Sequence, residues 1–480
     1  MSGGVAGSTT RLRPLSGLHK KGQQMRQYLA WGVISLAMLT GCAKSPAPPT
    51  EAQETSNSPA PVVETEAVPA PVSTGQNAAV QAVQNDASNP VIGRKLLSAE
   101  EAAAGWLALF DGSSLFGWKS SHDDINWKVE NGMISADSGS NGMLLSTVPF
   151  ADFELVVEYQ MAPEGNSGIF VRCQDVPTGP TDGCYEINIA DKHGQGFLTG
   201  SIVARKTATK PIIGSGGWQT LRIIALGNRL QIFHDGEAIL DFTDEAANAP
   251  RGGYIGLQKN SGQIQFRRVN LKPLNQQSLF NGKDLSGWRI VPGNKSEFTV
   301  QDQAIHVVNG QGFLETEQTW QNFIFQTQVK TGAVDLNSGF FFRAMPGTEK
   351  APSNGYEVQV HNGIKDGNRN QPANAGTGAI FRRVEARRVV SNDLEWCTVT
   401  LVANGPHISV WVDGYQEVAW EDTRMPDENP RKGQRLEGGH LSLQGHDPTT
   451  DVWFRALSIA ELPKLTTPAV PADSKGSESK

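Results

Sequence analysis

The sequence predicts an all-β protein built as two tandem antiparallel jelly-roll β-sandwiches. Three observations lead there. The folded part repeats itself in order. Its apolar residues alternate with polar ones. Gly, Asn and Asp turns cut the segments short, with little helical periodicity. At 480 residues the chain has room for two folded units and accessory segments.

Residues 1–41 hold Arg11, Arg13, Lys20, Lys21 and Arg26 and no acid, then an apolar run over 28–39 and the sequence Leu39-Thr40-Gly41-Cys42. A membrane-spanning helix needs about 20 apolar residues, so this run is too short. With small residues before a lone Cys, it resembles a bacterial lipoprotein signal ending in a lipobox. Cys42 is then the acylated first mature residue. Ala43 after it, in place of Asp, favours the outer membrane. The expected location is the bacterial cell envelope, lipid-anchored, at the outer membrane or facing the periplasm in a two-membrane cell. The long polar stretch before Met25 points to Met25 as the true start.

Residues 42–105 contain no aromatic residue and are rich in Pro, Ala, Ser and Thr, which cannot bury enough apolar surface to offset ordering entropy. They are read as a disordered tether, with a short helix over 96–104. The folded units are then 106–274 and 276–463, and 464–480 is a disordered tail.

The duplication fixes those units. Leu109-Phe110-Asp111-Gly112 with Gly117-Trp118 returns as Leu279-Phe280-Asn281-Gly282 with Gly287-Trp288, an offset of 170. Asn166-Ser167-Gly168-Ile169-Phe170 with Arg172 returns as Asn337-Ser338-Gly339-Phe340-Phe341 with Arg343, and Tyr185-Glu186 as Tyr356-Glu357, at offset 171. Trp218 and Asp235-Gly236 match Trp396 and Asp413-Gly414; Leu257-Gln258 and Phe266-Arg267 match Leu443-Gln444 and Phe454-Arg455. The offset only grows, as loop insertions require. Within a copy, Phe153, Leu155, Val157 and Tyr159 alternate with Glu154, Glu158 and Gln160, the pattern of a half-buried strand. The segments 229–233 and 238–242 flank Asp235-Gly236 as a hairpin, repeated around Asp413-Gly414. Many short strands over this length suit a sandwich.

Cys173 and Cys184 bracket an eleven-residue step. An exported chain can oxidise them to a disulfide; the alternative is two buried thiols. Cys397 has no evident partner. No Cys/His spacing fits a zinc site.

Alternation also assigns faces. Glu186 and Asn188 lie opposite Tyr185, Ile187 and Ile189, and Glu357, Gln359 and His361 occupy that face in the second copy. Arg172, Arg343, Gln258, Gln444, Arg267 and Arg455 likewise stand opposite apolar neighbours. Each copy thus repeats one Glu, two Arg and one Gln. They form either a solvated outer face of weak ion pairs or a concave face that binds a polyol, for which planar donors, acceptors and aromatic platforms are suited.

The same ordered motifs resemble the 3-keto-disaccharide hydrolase family across nearly the whole folded part. The resemblance implies a concanavalin-like jelly roll, an exported protein, and cleavage of glycosides already oxidised to a ketone at sugar carbon 3. Such a ketone acidifies the carbon-2 hydrogen, so a base can remove it if the enolate oxygen is stabilised. The aglycone at carbon 1 then leaves by elimination, and water addition completes a net hydrolysis. The paired carboxylates of an ordinary glycosidase are not required. On this reading Glu186 and Glu357 are the bases, and Arg172 or Arg343 polarises the ketone. Gln258, Gln444, Arg267 and Arg455 position hydroxyls, and His446, which fits a His that follows this Leu-Gln in the family, is an acid. The first copy has Lys259-Asn260 there, but keeps Asp191 and His193 after its Tyr-Glu strand.

No cofactor is evident; a divalent cation such as Ca2+ is an alternative electrophile, with Asp191, Asp447 and Asp451 in loops. A net charge of −7, without any long basic block, argues against nucleic acid as partner. Losing the leader's five basic residues takes that charge to −12. The expected partners are a 3-keto sugar and, through the lipid, a membrane. A non-catalytic carbohydrate-binding surface lipoprotein is the competing reading. The sugar, the working copy and the oligomeric state are not encoded legibly.

Overall fold

The computed structural model describes residues 96–174 and 176–465. Cys42, the leader, most of the tether and the tail beyond 465 lie outside the described residues. The short helix is Ala99–Ala103, started by a capping box in which Ser98 and Glu101 bond each other's backbone N–H.

Each copy stacks an eight-stranded sheet on a five-stranded one, with every strand pair antiparallel. In the first copy the eight-stranded sheet runs Glu237–Thr243, Arg229–His234, Gln219–Leu226, Phe153–Met161, Ile264–Pro273, Met133–Ala136, Lys128–Glu130, with Leu107–Ala108 also on Ile264–Pro273. The five-stranded sheet runs Trp118–Ser120, Gly142–Ser146, Tyr254–Lys259, Asn166–Cys173, Tyr185–Ala190. The second copy repeats both orders, and its five-stranded sheet ends in Ser338–Met345 and Asn354–Val360. This is the jelly-roll sandwich that alternation and turn spacing imply.

Alternation fills the interior. Phe153, Leu155, Val157 and Tyr159 meet Ile169, Val171, Tyr185, Ile187, Ile189 and Leu257 from the opposite sheet, all fully buried. Burial of each such side chain contributes about 1.5–3 kcal/mol. The recurring aromatics brace this frame. Trp118 Nε1 donates to Leu109 O at 2.7 Å, and Trp288 Nε1 to Leu279 O at 2.8 Å. Tyr185 and Tyr356 donate to Asp244 and Asp422, both at 2.8 Å.

The two sandwiches share part of one interior. Trp411, Ile324, Val402 and Leu462 of the second copy belong to the first copy's hydrophobic cluster, and the Trp411 ring lies 6.3 Å from that of Phe150. Around them Ala108 N donates to Gly414 O at 2.8 Å and Arg387 pairs with Asp111 at 2.9 Å. The turn at Asp413-Gly414 has the positive φ values, 48° and 78°, expected of it.

Four expected site residues fall elsewhere. Arg172 and Arg343 sit at a bulge with φ of 57° and 47°, which breaks the strict alternation that would have carried them beside the glutamates. Arg172 is instead wholly buried, donating to the carbonyls of Ala151 (2.9 Å), Gly227 (2.6 Å) and Pro250 (3.2 Å) and to Asp152 (2.9 Å). Arg343 repeats this with Gln321 O, Gly405 O, Arg435 O and Asn322 Oδ1. With no carboxylate partner there, burial holds its pKa down to about 10. Both arginines tie strand ends to loops, spending four of their five N–H donors there, and are buried away from the glutamates.

Arg267 and Arg455 do lie on an outer face, but that of the eight-stranded sheet. Arg267 donates to Glu158 at 2.6 Å and lies 4.3 Å over the Trp218 ring. Arg455 donates to Gln328 at 2.8 Å and lies 3.9 Å over Trp396. The hydrophobic core separates them from the glutamates.

Candidate functional site

The outer face of the five-stranded sheet carries the candidate site. Glu186 and Asn188 project from the edge strand, Asn166 and Phe170 from the next, and Gln258 from the middle strand. Loops fold over this face, so Glu186 is only 7 % exposed although it points away from the core.

The Asn-Ser-Gly motif sets the local geometry. Ser167 Oγ donates to Gln258 O at 2.7 Å, fixing the adjacent strand. Gly168 leaves a gap: a Cβ there would stand 3.1 Å from Glu186 Oε1 and 3.3 Å from Gln258 Oε1. Across that gap the Gln258 amide bonds the Glu186 carboxylate. Burial dominates this donation and raises the Glu186 pKa to about 7.

Above the pair opens a cavity of about 370 Å3, walled by Pro177-Thr178-Gly179-Pro180 and by Asn141, His193 and Asn260. Three buried carbonyl oxygens of its lining residues, Asn166 Oδ1, Asn188 Oδ1 and Gln258 Oε1, have no hydrogen-bond partner. Such atoms cost about 1–3 kcal/mol each when left unmatched, which marks the floor as built for hydroxyl donors. His193 Nδ1 accepts from Gln195 N at 3.2 Å, so in the neutral ring the proton sits on Nε2, a donor at the pocket.

The second copy carries the same pair in different surroundings. Gln444 bonds Glu357, whose pKa is again raised by burial, though Arg431 opposes the rise. Arg431 Nη2 lies 3.4 Å from Glu357 Oε2 and its guanidinium 5.2 Å over the Phe341 ring, the counterpart of Phe170. The cavity left beside Glu357 is about 70 Å3. The polar floor is also more nearly satisfied: Gln359 donates to Asn337 Oδ1, and Asn337 Nδ2 donates to His446 Nε2, both at 2.9 Å, while Gln444 Oε1 stays unpartnered like Gln258 Oε1. His446 in turn donates from Nδ1 to Asp447 at 2.8 Å, leaving neither ring nitrogen free.

The structure therefore brings Glu186 with Gln258, and Glu357 with Gln444 and His446. Asn166 is a site residue that sequence reasoning passed over, although it recurs as Asn337 at the head of a quoted motif. Arg431 has no counterpart in the first copy, so self-comparison could not find it.

The cysteines Cys173 and Cys184 are free, buried thiols in hydrogen-bond contact with one another, at the base of the loop that walls the first pocket. Cys397 is a buried free thiol. Among the described residues no three His, Cys, Asp or Glu side chains converge to hold a metal ion. Asp191 caps Gly214 N and Ser215 N, Asp447 holds Thr449 and His446, and Asp451 accepts from His306.

The comparisons agree with this duplication. The family described as the 3-keto-alpha-glucoside-1,2-lyase-like domain matches twice, over residues 105–272 and 275–460. A 3-keto-disaccharide hydrolase of Bacteroides thetaiotaomicron is 34 % identical over 92 residues, 17 % of this chain, and the chain spans about a third (32 %) of that relative's length. Among solved structures, a Parabacteroides distasonis protein provisionally described as a glycosyl hydrolase aligns at 20 % identity and a TM-score of 0.34 over 37 % of this chain and 98 % of its own. Carbohydrate-binding module CBM66 of Bacillus subtilis aligns at 19 % and 0.26 over 33 % and 98 %. With both sandwiches matched end to end, the chain belongs to the 3-keto-alpha-glucoside-1,2-lyase-like domain family.

Proposed function

We propose that the first copy cleaves glycosides carrying a ketone at sugar carbon 3, with Glu186 as the base. The observation that carries this is a carboxylate with a pKa of about 7 on the floor of an open pocket. Near neutral pH such a group is partly ionised and still basic enough to take a carbon acid's proton. Glu186 removes the hydrogen on carbon 2, and the electron pair passes to the carbon-3 oxygen as an enolate. Collapse of the enolate forms the carbon 1–carbon 2 double bond and breaks the bond from carbon 1 to the aglycone oxygen, which takes a proton as it leaves. Stopping there is a lyase reaction; addition of water at carbon 1 of the enone makes the net change a hydrolysis. His193 Nε2 and the pocket amides are the donors available to the enolate oxygen. The family and the name of the Bacteroides relative support the same chemistry.

The second copy is assigned no turnover at Glu357. Its Glu357 pairs with Arg431 and borders a cavity of about 70 Å3, against the roughly 300–1,000 Å3 of ordinary ligand pockets. The test is turnover of a 3-keto-disaccharide and of its unoxidised parent by the intact folded chain. Turnover of the keto form alone, lost in Glu186→Gln and kept within twofold in Glu357→Gln, supports the assignment. The reverse pattern moves catalysis to the second copy, and no turnover of the keto form refutes the activity. Export with lipid anchoring at Cys42 in the envelope belongs to the same proposal; radiolabelled palmitate incorporation that survives Cys42→Ser would overturn it.

A further inference from the structure

The second copy carries a cationic pocket that the proposed reaction does not use. Its loop over 422–439 is longer than the corresponding 244–253 of the first copy, and it delivers Arg431 onto Phe341 and Glu357. Arg431 is held there by Ser353 O at 2.7 Å, and its own carbonyl accepts from Arg383 Nη2 at 2.6 Å. Arg383 also donates to Arg382 O at 3.1 Å, so three arginines share one corner of the sandwich.

Arg382 is the unspent member. It is exposed, its guanidinium lies 5.3 Å from the Phe381 ring, and among the described residues no carboxylate comes within ion-pair distance, Glu357 feeling its charge only from farther off. Its backbone is left-handed, φ 61°, at the position where the first copy holds Ala204 with φ 59°. The backbone bend is thus common to both copies, and the guanidinium is peculiar to the second. The first copy's Arg205, counterpart of Arg383, is by contrast neutralised by Asp244 at 3.9 Å and bound to Pro180 O at 2.8 Å. In the second copy, Asp422 is occupied by Arg424 and Tyr356.

A cavity of about 450 Å3 opens beside Arg382 and Arg383, with Phe381 as an aromatic wall, Asn374 as a neutral polar group and Glu385 as its carboxylate. That volume suits one or two sugar rings. A planar guanidinium against an aromatic ring matches a planar carboxylate attached to a sugar ring, through a bidentate charge-assisted pair. We propose that this pocket binds acidic saccharides, with Arg382 as the carboxylate anchor and Phe381 as the platform. It goes beyond the reaction assigned to Glu186 and does not depend on it.

The test is calorimetric titration of the intact chain with trigalacturonate, with a neutral trisaccharide and with a sulfated neutral trisaccharide. The expected result is trigalacturonate binding that weakens roughly tenfold in Arg382→Ala, weakens with added salt, and is unchanged in Glu186→Gln. Arg382→Ala installs the residue the first copy tolerates at the same φ, so folding is retained; thermal unfolding and Arg382→Glu serve as controls, the latter weakening binding further. Equal affinity for the neutral trisaccharide, wild-type affinity in Arg382→Ala, or no binding at all would overturn the proposal. Equal binding of the sulfated probe would overturn the carboxylate assignment.

Discussion

If Glu186 is the base, its ionisation sets the pH dependence of cleavage. A pKa of about 7 leaves roughly a tenth of the carboxyl ionised at pH 6 and about nine-tenths at pH 8. The rate should therefore climb about tenfold over that interval and level off above it. Gln258 donates to the charged form and holds this pKa down. Gln258→Ala removes the donation, and a hydrogen bond to a charged group contributes about 1.5–3 kcal/mol, so the rising limb should move upward by about one to two pH units. Glu186→Gln should lower kcat by about 10^2–10^4. The assay is release of p-nitrophenol from its 3-keto-glucoside between pH 5 and 9. Stability should move oppositely. The folded pKa lies above the unfolded value, so the stabilisation from protonated Glu186 is complete below about pH 4.5 and lost by about pH 7. Above that the buried charge costs about 3 kcal/mol, which Glu186→Gln should recover in urea unfolding at pH 8. A flat wild-type profile between pH 6 and 8, or Glu186→Gln retaining more than about a tenth of wild-type kcat, would refute the reasoning.

Three further outcomes follow from the same contacts. Gly168→Ala places a methyl 3.1 Å from Glu186 Oε1 and should cut kcat about tenfold by parting the Glu–Gln pair, with little change in Tm; unchanged kinetics would show that the pair does not matter. Arg172→Met strands three carbonyls and Asp152 and should cost about 3–5 kcal/mol in urea unfolding, while activity per folded molecule persists; the opposite split would return Arg172 to the site. Mild oxidation should join Cys173 to Cys184, seen as loss of two alkylatable thiols by mass spectrometry, and closing that short loop should stabilise by about 3 kcal/mol; two thiols that remain alkylatable exclude the bridge.

The limits of sequence reading are physical. Period-2 alternation correctly sent Glu186, Asn188 and Gln258 away from the core, because those strands are regular. It failed at Arg172 and Arg343, where a left-handed residue at a bulge turns the next side chains over, which residue type does not reveal. It also failed at Arg267 and Arg455 for a different reason. A sandwich has two outer faces, and alternation separates inside from outside without saying which sheet a strand joins. Recurrence misled in the same direction: Arg172 recurs because its cradle of carbonyls recurs, as a structural residue does. Arg431 was invisible because it arrives on a loop without a partner copy.

Trp411 offers a last consequence. A domain that has lent its neighbour a space for that indole can no longer be cut free without exposing what the indole covers. The two copies are thus not interchangeable units, because each completes part of one shared interior. Either copy expressed alone should be less soluble and less stable than within the pair, so roles must be divided by point substitution in the intact chain. The same dependence protects the second copy from loss: it can abandon catalysis and still be retained as the part that completes the first copy's fold.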